Sequence, residues 1–460
     1  YWGGGFVRNL LLPEVLWESP GAEMRVILVV LGLTALAGLV AGLIPGWHAS
    51  RPDVGQVLKS GGRTATTSGS WTRNTLTVLQ AALSVVLLIG AGLFVRSLDR
   101  VQAMDLGIDP EGVLVVTPLF EQGVAREQRT EFYHEAAERL RALPGVEHAT
   151  FAAGVPFRSA RGHSVRVPGL DSLPRLPGGG PYVRAVTPDY FATIGQPILR
   201  GRGLSEADRE GTPSVVVVSE TMARLLWPGG EAVGQCLILG TEEAICSEVI
   251  GVARDTRRFR IIEEEAMEFY VPYAQGLVHG APEALLVRTL DRDPGALVPV
   301  IQRELLSLEP GLRYAAVQPM REFIDPQARS WRLGATLFTL FGLLALLVAA
   351  VGLYSVLAFA VAQRTQELGI RAALGASRER LLGLVLGQGM RLVGIGIGLG
   401  LIGALLAGPR IEPLLFEVSP RDPITLAVVV LVLLAVAALA SGLPAWRATR
   451  VDPSIALRAE

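Results

Sequence analysis

One lysine, two cysteines and five histidines are all that 460 residues offer of three side chains often used to hold phosphates or metals. Lys59 stands in "GQVLKSGG" without the G-x-x-x-x-G that precedes a phosphate-loop lysine, so the chain is expected neither to bind nor to hydrolyse ATP by itself. The histidines, at 48, 134, 148, 163 and 279, show no pair with the close helical spacing of a zinc site. Ser164 beside His163 comes with no G-x-S-x-G elbow and no identifiable acid, which makes "RGHSVRV" a polar loop and not a hydrolase site. Glu263, Glu264 and Glu265 read as a solvated loop. A net charge of -1 carries no basic surplus for a nucleic-acid partner. On these absences no enzyme activity, metal or cofactor of the chain's own is expected.

What the chain has is apolar length. Half of its residues are hydrophobic and its mean hydropathy is +0.41, on the membrane side of ordinary composition. Residues 26–46, 76–95, 333–362 and 424–443 contain no Asp, Glu, Lys or Arg, and each reaches the roughly 20 residues that a helix needs to cross a bilayer. A fifth run, 381–407, is interrupted by Gln388 and Arg391; its first third is expected at the interface and 392–407 in the hydrocarbon, because a charge near the surface can snorkel. Basic residues set the orientation. Arg51, Lys59, Arg63 and Arg73, then Arg364, Arg371, Arg378 and Arg380, then Arg447, Arg450 and Arg458 mark three cytoplasmic segments, which places the long stretch 97–331 outside.

That stretch reads as mixed α and β. "EQRTEFYHEAAERLRAL" spaces Phe132, Ala136, Ala137, Leu140 and Leu143 along one helix face. "PSVVVVSETMARLLWPGG" is a buried strand passing into a helix, and "CLILGTEEAICSEVIGVARD" is a hairpin. The hairpin carries Cys236 and Cys246. In a cytosolic protein they would be buried thiols; outside the inner membrane the pair is expected to form a disulfide.

The end of the chain repeats an earlier passage. "PGWHASRPDVGQVLKS" and "PAWRATRVDPSIALRAE" share Pro45/Pro444, Trp47/Trp446, Ala49/Ala448, Arg51/Arg450, Asp53/Asp452 and Leu58/Leu457 at a constant offset, each copy following an apolar run. The repeating unit is too long for a solenoid turn. Because the chain opens at Tyr1 in an ordinary stretch, it is expected to be a piece of a longer protein.

"QRTQELGIRAALGASRERLLGLVLGQGMRL" follows the run 333–362. Glu367 and Arg371 are four apart and pair on one helical turn, Gly369 and Gly375 interrupt the helix, and Ser377 is placed to cap the next one with Glu379 in its first turn. On these grounds alone the segment is either a short helix at the membrane face or a plain polar connector. "RTQELGIRAALGAS" resembles the signature after the second membrane helix of the FtsX-like permeases of MacB-type ABC transporters. "VTPDYFATIGQPILRGRGLSEAD" and "VVVVSETMARLLWPGGEAVGQ" are similar to that family's periplasmic motifs. The resemblance runs from about Asn74 to the end, and the layout looks like that of duplicated permeases with two such halves on one chain.

The resemblance implies a fold, a helical transmembrane bundle with a large α+β extracytoplasmic domain inserted after its first helix. The organisation it implies is 1–59 as the end of a preceding half, 60–74 as a cytoplasmic linker, 75–96 as a membrane helix, 97–331 as the periplasmic core domain, and 332–460 as a permease domain with helices near 333–362, 385–407 and 424–443. It also implies a bacterial inner-membrane location, the lipid bilayer as surroundings, and a cytoplasmic ABC ATPase that carries the ATP and Mg. A periplasmic adaptor and an outer-membrane channel are further partners of such systems. Residues matching the ATPase-coupling motif are Glu367, Leu368, Gly369, Ile370, Arg371, Leu374, Gly375 and Ala376. The implied function is export of a substrate powered in trans; the alternative is a membrane relay that activates a periplasmic enzyme. Gly396 and Gly400, in G-x-x-x-G spacing, suit close helix packing or a lipid-facing surface.

Overall fold

The computed structural model describes residues 28–29, 31–32, 34–35, 38–39, 67–121, 124–240, 245–278, 280–309, 311–363, 367, 370–371, 374 and 376–448. The first copy of the repeated passage, with Lys59, and most of its apolar run therefore lie outside the described residues, as do His279, Leu368, Gly369 and Gly375. The chain divides into two units, one of Tyr1–Arg100 with Ser330–Glu460 and one of Val101–Arg329.

α1 (Thr67–Gln102) leads into the second unit. There follow β1 (Val113–Phe120), α2 (Arg126–Arg141), β2 (Val146–Ala153), β3 (Arg161–Gly162), β4 (Val165–Arg166), β5 (Tyr182–Val186) and α3 (Tyr190–Ile194). Next come β6 (Ile198–Gly201), β7 (Val215–Ser219), α4 (Glu220–Leu226), β8 (Cys236–Leu239), β9 (Ile245–Ala253) and β10 (Glu268–Pro272). β11 (Ala284–Thr289), α5 (Val298–Leu308), β12 (Leu312–Pro319) and α6 (Arg321–Ile324) complete the unit. The strands line up as β12-β1-β11-β2-β5-β10-β7-β9-β8-β4, with β3 on β5 and β6 on β9. β10 runs parallel to β5 and β9 parallel to β7, while the other pairings are antiparallel.

Two apolar clusters follow from this order. At the β12 end, α2 turns Phe132, Tyr133, Ala136, Ala137 and Leu140 onto Val116, Phe151 and Leu285, and α5 adds Ile301 and Leu305. Each large side chain among them gains about 1.5–3 kcal/mol by leaving water. At the β7 end the run "VVVV" is buried on both sides; Val216 and Val218 pack with Met222, Leu226, Phe269 and Val271. α4 begins where Ser219 accepts a hydrogen bond from the Met222 amide at 3.3 Å, a side-chain cap that satisfies one orphan donor.

β8 and β9 form the expected hairpin, with Cys236 opposite Glu248 and Cys246 opposite Ile238. The two cysteines are thus diagonal neighbours, their Cα atoms are 5.5 Å apart, and they are joined as a disulfide. A bond closing so short a loop contributes roughly 2 to 3 kcal/mol in the chain-entropy account. A Cys236→Ser, Cys246→Ser chain is therefore expected to fold but to unfold at lower urea concentration; an unchanged midpoint would show that the hairpin needs no staple.

The other unit holds α1 together with α7 (Arg329–Gln363), α8 (Arg378–Ile411) and α9 (Pro423–Ala448). All four are long and apolar enough to cross a membrane. α8 is one unbroken helix through the whole run 381–407, and Leu381 and Val385 near its start are buried in one cluster with Leu357 and Leu433. Ser377 does occupy the position before α8 with extended backbone, yet its hydroxyl makes no capping bond.

Glycines decide how closely these helices approach. On α1 and α7 the spacing Gly90-x-x-x-Phe94 meets Gly334-x-x-x-Phe338. A Cβ on Gly90 would lie 2.6 Å from the Phe338 ring and one on Gly334 would lie 2.4 Å from the Phe94 ring. The two rings stack on each other at 5.2 Å, so each fills the notch left by the other helix's glycine. Gly396 and Gly400 are packed rather than lipid-facing. A Cβ on Gly396 would meet Ala81 Cβ at 2.5 Å, and one on Gly400 would meet Val85 Cβ at 2.5 Å and the Ala82 carbonyl oxygen at 2.7 Å. Gly394 and Gly398, two residues before each of them, face open space.

Candidate functional site

Between α7 and α8 the described residues are Glu367, Ile370, Arg371, Leu374, Ala376 and Ser377. Glu367, Ile370 and Arg371 are helical, and the Leu374 amide donates to the Ile370 carbonyl at 2.9 Å. The Ala376 amide then donates to the Arg371 carbonyl at 2.9 Å, a five-residue closure that ends the turn. Arg371 Nη2 donates to Glu367 Oε1 at 2.6 Å with both side chains about half exposed, the arrangement expected from their i, i+4 spacing. In water such a pair is worth only a few tenths of a kcal/mol, about 0.3–0.5, so it orients more than it stabilises.

Beside the ion pair lie two apolar side chains that folding leaves uncovered. Ile370 is 42% exposed and Leu374 is 82% exposed, at i, i+4. A leucine held out by a helical turn, with a charge pair alongside, has the composition of a small protein-docking surface, where apolar area supplies affinity and charge supplies register. Of the eight motif residues, five are thus brought to one short turn; the other three lie outside the described residues.

The permease helices tie this turn into one body. Leu353 and Leu357 of α7, Leu381, Val385 and Val393 of α8, and Leu433 and Ala437 of α9 share one cluster with Val85, Ile89 and Leu93 of α1. At the opposite end of α9, Asp422 accepts from the Thr425 hydroxyl at 2.6 Å and its amide at 2.8 Å, capping the helix. Asp422 also pairs with Arg96 of α1. The Thr425 hydroxyl first, then the Thr425 amide and Arg96, hold the Asp422 carboxyl below the usual carboxylate range. Ser97 accepts from the Phe416 amide at 2.7 Å, a second polar tie between α1 and the loop before α9. Neither the Arg96–Asp422 pair nor the Ser97–Phe416 tie is legible in sequence, because more than 300 residues separate the partners.

In the sheet unit, one side of β5 and β10 is polar although buried. Arg184 and Glu268 are 0% and 2% exposed and form an ion pair, Thr256 donates to Glu268 at 2.9 Å, and Gln196 Nε2 donates to the Tyr270 hydroxyl at 2.9 Å. Burial opposes the Arg184 charge, but the Glu268 carboxylate outweighs it and raises the guanidinium further. Burial likewise raises the Tyr190 and Tyr270 hydroxyls, keeping both protonated. A charged residue inside each otherwise buried strand, "YVRAV" and "EFYVP", is the signal that could have found this layer. The acidic run also differs from expectation. Glu263 is not simply solvated: it accepts from the Arg258 and Phe259 amides and so shapes the preceding loop. Among the described residues no three His, Cys, Asp or Glu side chains group to hold a metal.

Residues 75–305 match the family described as MacB-like periplasmic core domain, and residues 339–453 match FtsX-like permease C-terminal. The macrolide export ATP-binding/permease protein MacB of Azoarcus sp. (strain BH72) is 26% identical over 408 residues, covering 84% of this chain and 57% of that protein. That of Rhodospirillum rubrum is 27% identical over 436 residues, covering 88% and 60%. That of Escherichia coli (strain K12) is 27% identical over 282 residues, covering 60% and 43%. The chain thus spans about half the length of the curated relatives it matches. The crystal structure of the periplasmic region of MacB from Actinobacillus actinomycetemcomitans covers 47% of the chain at 17% identity, with a TM-score of 0.35.

Proposed function

The chain belongs to the family of the MacB-like periplasmic core domain and carries an FtsX-like permease C-terminal part, and from that membership we propose that it is the permease of an ABC exporter whose ATPase is a separate subunit. It is a multi-pass membrane protein with a periplasmic MacB-like domain. The ATPase closes on nucleotide, the turn 367–376 receives that movement, and α7 and α8 carry it along the membrane helices.

One observation carries this reading: Leu374 stands 82% exposed on the turn between two membrane helices, beside Ile370 and the Glu367–Arg371 pair. An apolar ridge that the chain's own fold leaves uncovered is what a docking partner covers. The test is Leu374→Asp in the full chain co-expressed with its ABC ATPase. Folding buries nothing at this position, so the variant is expected in the membrane at near-normal amounts. Co-purification of the ATPase and the increase in its turnover on adding the permease should both fall at least about tenfold, the scale of a lost interface anchor. Retention of both at the level of the unaltered chain would leave a plain connector and remove the coupling role.

A further inference from the structure

Two helix stripes in the membrane unit enclose a cleft that ends at a charge. On α1 Leu88, Gly92 and Arg96 recur at every fourth position, and on α9 so do Ile424, Val428 and Val432. Together they line a cleft of about 320 Å³ whose walls are apolar but for Arg96 and the buried Thr425. Gly92 sets how closely the two helices meet: a Cβ there would lie 2.6 Å from Thr425 Cγ2.

The level of the cleft in the bilayer is fixed by these two helices themselves. Arg96 directly follows the apolar run 76–95, and its partner Asp422 stands two residues before the run 424–443. The ends of two membrane spans thus coincide at one ion pair, and the cleft extends from it into the hydrocarbon. From Ile424 to Val432 it follows about 12 Å of helix. Because α1 continues into the periplasmic unit, this is the periplasmic leaflet.

The pair leaves Arg96 with donors to spare. Asp422 turns its carboxylate onto its own helix, accepting from the Thr425 amide and hydroxyl, and meets Arg96 through Nη1 alone. Among the described residues no group accepts from Arg96 Nε or Nη2, and 33% of the side chain is exposed. Lipid tails are as apolar as the walls of the cleft, so an acyl chain entering it gains van der Waals contact and little else. Selection therefore falls to the guanidinium, whose planar donors match phosphate oxygens and whose hydrogen bonds strengthen away from water.

We propose that the cleft between α1 and α9 binds an anionic phospholipid of the periplasmic leaflet, with one acyl chain along Val428 and Val432 and the phosphate accepting from Arg96. The site is independent of the coupling role proposed for 367–376, since neither needs the other.

The experiment is native mass spectrometry of the full chain, released from detergent micelles after equilibration with phosphatidylglycerol or phosphatidylcholine. The unaltered chain is expected to hold phosphatidylglycerol several-fold more tightly than phosphatidylcholine. Val428→Trp fills the cleft and leaves the Arg96–Asp422 pair in place, whereas Leu431→Trp puts the same ring at an exposed position of α9 outside the cleft. Phosphatidylglycerol binding should weaken at least about tenfold in Val428→Trp and stay unchanged in Leu431→Trp, and Arg96→Gln should abolish the preference between the two lipids. Equal binding by Val428→Trp and Leu431→Trp would overturn the site, because lipid would then only coat the helices. A preference that survives Arg96→Gln would overturn it too. So would the loss of a dimer mass in Val428→Trp alone, which would make the cleft an interface between copies of the chain.

Discussion

Glu268→Gln is expected to lower the stability of the periplasmic unit by about 3–5 kcal/mol, the usual cost of leaving one member of a buried ion pair alone. The substitution keeps the shape of the side chain and removes its charge. Arg184 is fully buried, so its guanidinium would then be stranded on the sheet face it shares with Tyr190 and Tyr270. The pair lies on β5 and β10, the strands that join the two apolar clusters, so the loss falls at the middle of the sheet. The measurement is urea unfolding of the full chain in detergent, followed by a probe placed in the sheet unit. The double variant Arg184→Met, Glu268→Leu is the informative companion: with both charges gone the unit should recover most of the loss. A single variant as stable as the unaltered chain would mean that the guanidinium is satisfied by other groups, and the pair would lose its structural role.

Gly400→Leu should dismantle the contact between α1 and α8, while Gly398→Leu, two residues away, should be tolerated. At Gly400 any side chain starts 2.5 Å from Val85 Cβ and 2.7 Å from the Ala82 carbonyl, so backbone must move; at Gly398 nothing lies within 4 Å. Overpacking of this kind costs about 1–3 kcal/mol where neighbours can yield, and here one neighbour is main chain. Both variants keep an apolar helix and should insert equally. In detergent, Gly400→Leu is expected to elute as aggregate or to melt many degrees lower, with Gly398→Leu close to the unaltered chain. If the two behave alike, the helices are not held by this seam.

Much of this architecture was legible because water and lipid impose simple periods. Three of the apolar runs without Asp, Glu, Lys or Arg, 76–95, 333–362 and 424–443, announced membrane-length helices, and the Phe132, Ala136, Leu140 stripe announced α2. The strand-to-helix step at Ser219 and the cysteine hairpin were likewise written locally, within fewer than twenty residues each. The spacing of Glu367 and Arg371 gave their pairing on a helical turn. What sequence could not supply was the meeting of distant residues. Hydrophobicity alone does not tell an inward glycine from an outward one in "GIGIGLGLIG", because in lipid both faces are apolar; the choice depends on where α1 lies. Gln388 and Arg391 likewise say little about the neighbours packed on the other face of their helix.

The interlocked pairs Gly90 with Phe338 and Gly334 with Phe94 have a mechanical consequence. Two smooth helices can slip along each other in small steps, but here a one-residue shift of about 1.5 Å would drive an aromatic ring out of its notch and onto main chain. The seam therefore acts as a detent: it resists axial gliding and leaves tilting as the soft motion. A push delivered to the cytoplasmic end of α7 would then swing α1 with it as a single lever instead of being lost in shear between the two.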